Sequence, residues 1–141
     1  MSHEVKVFEF DPEVKTAVTK FRTREEKTSG ALIIRFDPSK QLLVVEKLHD
    51  DISAEDLKKE LPQHLPVYIL YSYFYKHDDG RTSHPLFFIF ISPTGSKPEL
   101  QLMYSGNKRR VAEELRVKMV FELRSYEGFT EEWLLSKLHD L

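Results

Sequence analysis

Residues 96–115, SKPELQLMYSGNKRRVAEEL, read as one long helix, and the rest of the chain can be read outward from it. Pro98 suits a first helical turn, where its missing N–H removes no helical bond. Glu99 beside it complements the positive end of the helix dipole. Leu100, Tyr104, Val111 and Leu115 are spaced by four, seven and four residues, which places them on one face. At about 100° per residue, Leu102, Met103, Gly106, Arg109 and Arg110 fall on roughly the opposite face. Two apolar side chains and two adjacent arginines around a glycine make a candidate docking surface. Exposed apolar groups rimmed by polar ones mark interfaces, and Met and Arg are enriched there. The same pattern fits a second arrangement, in which Leu102 and Met103 are covered by another part of the domain. The helix alone leaves both open.

Two aromatic-rich runs precede this helix, Val67 to Tyr75 and His84 to Ser92. They read as strands joined by Lys76–Arg81, where Asp79-Gly80 supplies the positive φ a hairpin loop needs. After the helix, Met119 to Arg124 reads as a further strand. Thr130 then caps a last helix with Glu131 and Glu132 in its first turn and Trp133, Leu134 and Leu138 facing inward. Nearer the N-terminus, Asp11-Pro12 opens a helix whose Val14, Ala17, Val18 and Phe21 form its apolar stripe. Ala31–Phe36 and Leu42–Glu46 read as a hairpin about the turn Asp37–Lys40. Ser53 opens a short helix that ends before Pro62. The near-continuous apolar runs Tyr68–Tyr71 and Phe87–Ile91 predict a sheet covered on both faces. The expected fold is α/β, a central mixed sheet of about five strands with helices on either side. One domain should span residues 1–141, with residues 1–9 free to move.

At 141 residues, 40% hydrophobic and 12% aromatic, the chain has apolar material for a full core. A net charge of −2 with pI near 6.3 argues against a strongly basic nucleic-acid binder. The absence of cysteine removes disulfides and thiol chemistry. The charged opening MSHEVKVFEFDPE has no apolar core of a secretory signal, and no run approaches the ~18 apolar residues of a membrane helix. A soluble protein is expected.

A search for chemistry finds little. His3, His49, His64, His77, His84 and His139 form no His-x-x-x-His pair, and without cysteine a zinc site has poor ligands. His77, Asp78 and Asp79 sit together in a tight turn, where Asp serves backbone bonding. No phosphate-cradling glycine motif and no nucleophile elbow occurs. No catalytic residue, metal or cofactor is expected; binding is.

Several segments spread along the chain carry a family resemblance. They are Leu61-Pro62, Tyr71-Ser72-Tyr73, His77-Asp78-Asp79-Gly80-Arg81, Pro85-Leu86, Phe88-Ile89-Phe90, Ser92-Pro93, Lys97-Pro98-Glu99, Met103-Tyr104 with Gly106, and Glu132-Trp133-Leu134. With them the chain resembles the actin-depolymerising-factor homology (cofilin-like) family, and more closely its glia maturation factor branch. That resemblance implies the cofilin-like fold and a non-enzymatic regulator that binds the actin-related protein 2/3 complex. It implies inhibition of branched nucleation and promotion of debranching, with weak or no binding to actin itself. Cofilin-like proteins place lysines at the positions matching Glu99 and Gln101, and the change of charge should weaken docking on actin.

The residues expected to contact the complex are Leu102, Met103, Gly106, Arg109 and Arg110, with Lys97 at the start of the helix. The resemblance adds the N-terminal segment with Ser2, where added negative charge would alter a contact. It also adds a second contact through Asp78, Asp79 and Arg81. Arg22 and Arg24 read either as a solvated helix end or as rim contacts. Removing Arg109 and Arg110 together should leave folding intact. A monomer without nucleic-acid or membrane partners is expected, cytoplasmic at branched networks of the cortex and lamellipodia, with the nucleus as a second compartment. The alternatives are a cofilin-type actin-binding and severing module, then a signalling adaptor.

Overall fold

The computed structural model describes residues 7–139, and local capping chemistry explains where most of its helices begin. The element order is β1 (Glu9–Phe10), α1 (Pro12–Arg22), β2 (Gly30–Asp37), β3 (Leu42–His49), α2 (Ala54–Glu60), β4 (Val67–Ser72), β5 (Tyr75–Lys76) and β6 (Thr82–Ser83). Then follow β7 (Leu86–Ile91), α3 (Pro98–Glu114), β8 (Met119–Leu123), one 3₁₀ turn (Tyr126–Gly128) and α4 (Glu131–His139). The Asp11 carboxylate accepts the Glu13 N–H at 2.9 Å, Ser53 Oγ that of Asp56 at 3.1 Å, and Thr130 Oγ1 that of Trp133 at 3.1 Å. Only α3 starts without a side-chain cap, on Lys97 followed by Pro98.

Six strands form the main sheet in the order β1-β3-β2-β4-β7-β8. β4 lies at its centre, antiparallel to β2 and β7, while β1 runs parallel to β3 and β8 parallel to β7. All of β4 is buried, so its alternating side chains feed two cores. Tyr68 and Leu70 share a core with Val14, Val18 and Phe21 of α1, Tyr104 and Val111 of α3, and Leu115 at the C-cap of α3. Ile69 and Tyr71 meet Leu57 of α2, Tyr126, Phe129 and Leu134 of α4 on the other side. Tyr104 pins α3 to the sheet: its hydroxyl accepts the Phe36 N–H at 2.9 Å, and Tyr68 donates its own hydroxyl to the Tyr104 carbonyl. Burial pushes both phenols up, so both stay protonated.

The sandwich expected from the sequence is present, with two differences. The predicted long hairpin is interrupted: β4 stops at Ser72, and β5 with β6 forms a separate two-stranded ribbon. The Tyr73 N–H still reaches the Pro85 carbonyl at 3.1 Å, but the Phe74 N–H turns to Ser29 Oγ at 2.9 Å. Pro85 has no N–H to return, so the ladder cannot continue. The second difference is β1. Residues 1–9 were expected to move freely, yet Phe8 is fully buried and Glu9-Phe10 pair with Leu42-Leu43. The Phe8 ring stacks on Phe36 at 4.6 Å and meets the Tyr104 edge at 5.4 Å. Ser2 and the rest of residues 1–6 lie outside the described residues.

Candidate protein-docking surface

The two faces of α3 differ as the stripe requires, but the border between them lies elsewhere. Leu102 is 52% exposed, and Gly106 and Arg109 are exposed beside it. The Arg109 side chain is 91% exposed and, among the described residues, pairs with Glu113, one turn on, at 3.2 Å. Lys97 and Glu99 are exposed at the helix start, while Gln101 donates its amide to the Pro93 carbonyl at 2.7 Å. Gly106 leaves backbone accessible to a close approach. This ridge is a place for a partner to dock, with one apolar anchor and charge on both sides.

Met103 and Arg110, expected on that face, are turned away from it. Met103 packs against the α1–α3 core, and the Arg110 guanidinium donates to the Phe8 carbonyl while lying 6.0 Å from the Phe10 ring centre. Between them sits Asn107, only 2% exposed, whose Oδ1 accepts the Phe8 N–H at 2.8 Å. Positions 103, 107 and 110 share one flank of a helix at spacings of four and three. Helical periodicity alone assigns Met103 and Arg110 to the exposed face, and it does not show that Phe8–Phe10 fills this flank. The periodic spacing was the signal that could have found Asn107. The expectation that Arg109 and Arg110 can be removed together without cost to folding is corrected accordingly.

Arg22 stays exposed at the end of α1, as one of the two readings had it, whereas Arg24 is neither a solvated helix end nor a rim. Arg22 donates to the Leu115 carbonyl at the end of α3, where a cation complements the helix dipole. Arg24 has a side chain only 5% exposed, donates to the Thr28 carbonyl at 2.8 Å and to the Asp50 carbonyl, and stacks over Phe21 at 5.7 Å. On the ribbon, Asp78, Asp79 and Arg81 are all exposed. Asp79 accepts the Arg81 N–H at 3.0 Å and its Nε at 2.7 Å, around Gly80 at φ 91°. The Arg81 backbone and then its side chain hold the Asp79 carboxyl below its ordinary value. The ribbon is anchored to the loop before β2, through Ser29 and through His84 to the Glu26 carbonyl. It forms a surface of its own rather than an extension of the α3 ridge.

Among the described residues no group of three or more His, Asp or Glu is placed to hold a metal ion, and no helix is long and apolar enough to cross a membrane. An open groove of about 480 Å³ between α1 and the end of α3 is lined by Lys15, Val18, Thr19, Arg22, Glu114, Leu115 and Arg116. The arrangement suits recognition of a macromolecule.

The comparisons agree with this architecture. Residues 7–139 match the family of cofilin/tropomyosin-type actin-binding proteins. The chain is 44% identical over 138 residues to glia maturation factor beta of Homo sapiens, covering 98% of this chain and 97% of that one. Its structure is similar to the solution structure of glia maturation factor from Caenorhabditis elegans, with a TM-score of 0.82, 36% identity, and 97% and 99% of the two chains covered. It also shares its fold with Plasmodium berghei actin depolymerization factor 2, at a TM-score of 0.79 and 19% identity over 96% and 99% of the chains.

Proposed function

The chain belongs to the glia maturation factor branch of the cofilin/tropomyosin-type actin-binding family, and from that premise we propose that it binds the actin-related protein 2/3 complex rather than actin. In this reading it opposes branched nucleation and favours debranching, as a binding protein without catalysis. The observation that carries the reading is the ridge of Leu102, Gly106 and Arg109 on a helix whose other flanks are held by the fold. Leu102 enters an apolar cleft at the barbed end of the actin-related subunit, and Arg109 exchanges Glu113 for an acidic group on the cleft's rim. Glu99 and Gln101 precede this ridge in place of lysines, which disfavours an acidic actin surface. The ribbon with Asp78, Asp79 and Arg81 supplies a second contact. Occupation of a surface that a daughter filament needs shifts the equilibrium toward the debranched state by differential affinity alone. The site of action that follows is the branched actin network of the cytoplasm.

The test is binding of the purified protein to the complex and, in parallel, to monomeric actin at physiological salt. Tight binding to the complex with little to actin supports the reading, and Leu102→Asp should then weaken it by about 30-fold, as for loss of a ~2 kcal/mol anchor. Glu99→Lys with Gln101→Lys should raise affinity for actin. Comparable binding of the unmodified protein to actin would overturn the proposal in favour of a cofilin-type module.

A further inference from the structure

Three large apolar side chains are exposed among the described residues: Val7, Leu102 and Leu48. Leu102 belongs to the α3 ridge and Val7 enters the strand held by α3, but Leu48 lies elsewhere. It is 41% exposed near the end of β3, opposite Leu32 of β2, so it shares the sheet face on which α1 packs. Here the sheet has a free edge. Among the described residues β1 covers β3 only at Leu42 and Leu43, and from Val44 to His49 alternate backbone N–H and C=O groups have no described strand to meet on the outer side. Lys20, Phe21 and Arg24 of α1 and the following turn stand over that edge. Together with Glu25, Glu26, Leu48 and Asp50 they enclose an open groove of about 450 Å³. The residues of α1 that face α3, Lys15, Thr19 and Arg22, are on its other side.

A groove between a helix and an unpaired strand edge is the geometry that accepts an extended peptide, whose backbone completes the sheet while alternate side chains meet the walls. The charge of the walls selects the peptide. Glu25 is exposed, Glu26 is 52% exposed and Asp50 is 64% exposed; the Arg24 guanidinium, which donates to backbone carbonyls beneath them, also lies 3.7 Å from the Glu26 carboxylate and 3.9 Å from that of Asp50, and so offsets one of these charges. With Lys20, the exposed cation of the lining, and Arg24, two cations stand against the three carboxylates, which leaves the rim net acidic by one charge. Nearby, Glu46 is matched by Arg35 and Lys47 by Glu60, so neither changes this balance. A second copy of the chain would bring the same acidic rim to the contact, which repels.

We propose that the groove between α1 and the free edge of β3 is a docking site for a basic, extended segment of a partner protein. The segment adds as a strand beyond Leu43 and seats an apolar side chain against Leu48. The site is separate from the α3 ridge and does not rest on the function assigned to that ridge.

The test is a titration of the isotope-labelled full chain with a synthetic peptide of alternating lysine and valine, followed by amide NMR. The expected result is saturable shifts confined to residues 20–26 and 44–50, with half-saturation on the order of 0.1–1 mM. The same peptide with glutamate for lysine should produce none. A proline at its centre should weaken binding about tenfold by removing a ladder donor. Leu48→Asp, on an exposed side chain that the fold does not need, should weaken binding by a similar factor while leaving the remaining spectrum in place. Shifts spread over other acidic surfaces, equal binding by the proline-interrupted peptide or by the Leu48→Asp protein, or no shift at ~5 mM peptide would each overturn the proposal.

Discussion

Two sides of α3, both polar in sequence, have opposite physical roles. On one, Leu102, Gly106 and Arg109 meet solvent, and nothing in the fold depends on them beyond one exposed pair between Arg109 and Glu113. On the other, Met103, Asn107 and Arg110 hold an incoming strand: the N–H and the C=O of Phe8 are bound by side chains of the same helix. A buried backbone group must find a partner, and here a helix supplies two where no strand is adjacent. Adjacent residues in one sequence motif, Arg109 and Arg110, therefore separate into a residue free to bind and a residue tied to the fold.

Phe8 offers the largest effect with which to test this division. Its side chain is fully buried among Phe36, Tyr104 and the α1–α3 core, and Phe8→Ala should cost about 3–5 kcal/mol. For a domain of this size that is a fall in melting temperature of roughly 10 °C. Leu102→Ala, an equally apolar change on the free side, should stay within about 0.5 kcal/mol. Calorimetry of the two proteins decides the matter: similar melting temperatures would mean that the N-terminal strand is not part of the cooperative fold.

Within the arginine pair the contrast is smaller but more specific. Arg110→Ala should lower stability by ~1 kcal/mol, since it removes the bond to the Phe8 carbonyl and the contact with Phe10. Arg109→Ala removes one exposed i,i+4 pair, worth at most ~0.5 kcal/mol, and should act on partner binding instead. Denaturant titration reads the first effect and an affinity measurement reads the second. If both variants lost stability equally, the border drawn between the two sides would be wrong.

Most of the architecture was legible because it rests on local rules. Asp11, Ser53 and Thr130 cap where their side chains predict, and the apolar runs of β4 and β7 lie at the sheet's buried centre. The stripe of α3 was legible too, since Tyr104, Val111 and Leu115 are core. Non-local partners were not. β1 is two residues long and gives no periodic signal, and its pairing is with Leu42-Leu43, far along the chain. Without it, nothing in the sequence covers the flank of Met103, Asn107 and Arg110. Arg24 looked like a surface charge for the same reason: the carbonyl of Asp50 that it binds is placed by the β2–β3 hairpin. Leu102, Gly106 and Arg109 are exposed in the structure, which decides between the two arrangements that the helix alone left open for Leu102.

The smallest effect concerns the side of α3 that faces α1. Glu114 accepts a hydrogen bond from the Lys15 ammonium at 2.9 Å across the two helices, and this hydrogen bond, then the charge of Lys15, lowers its carboxyl below the ordinary glutamate value of 4.5. A carboxyl lowered by folding binds fewer protons in the native state than in the unfolded one. Its contribution is therefore present above the unfolded value and lost as pH falls through the folded one, so this pair weakens only at pH below about 4.5. Both side chains are well exposed, and the effect on overall stability should be slight. A carboxyl-detected NMR titration is sensitive enough to see it. Glu114 should titrate below the ordinary glutamate range in the native protein and return to that range in Lys15→Ala, while the exposed ridge at Leu102 and Arg109 keeps its chemical shifts. If Lys15→Ala moved the ridge as well, the sides of α3 would be coupled, and Arg109 could no longer be altered or bound without consequence for the fold.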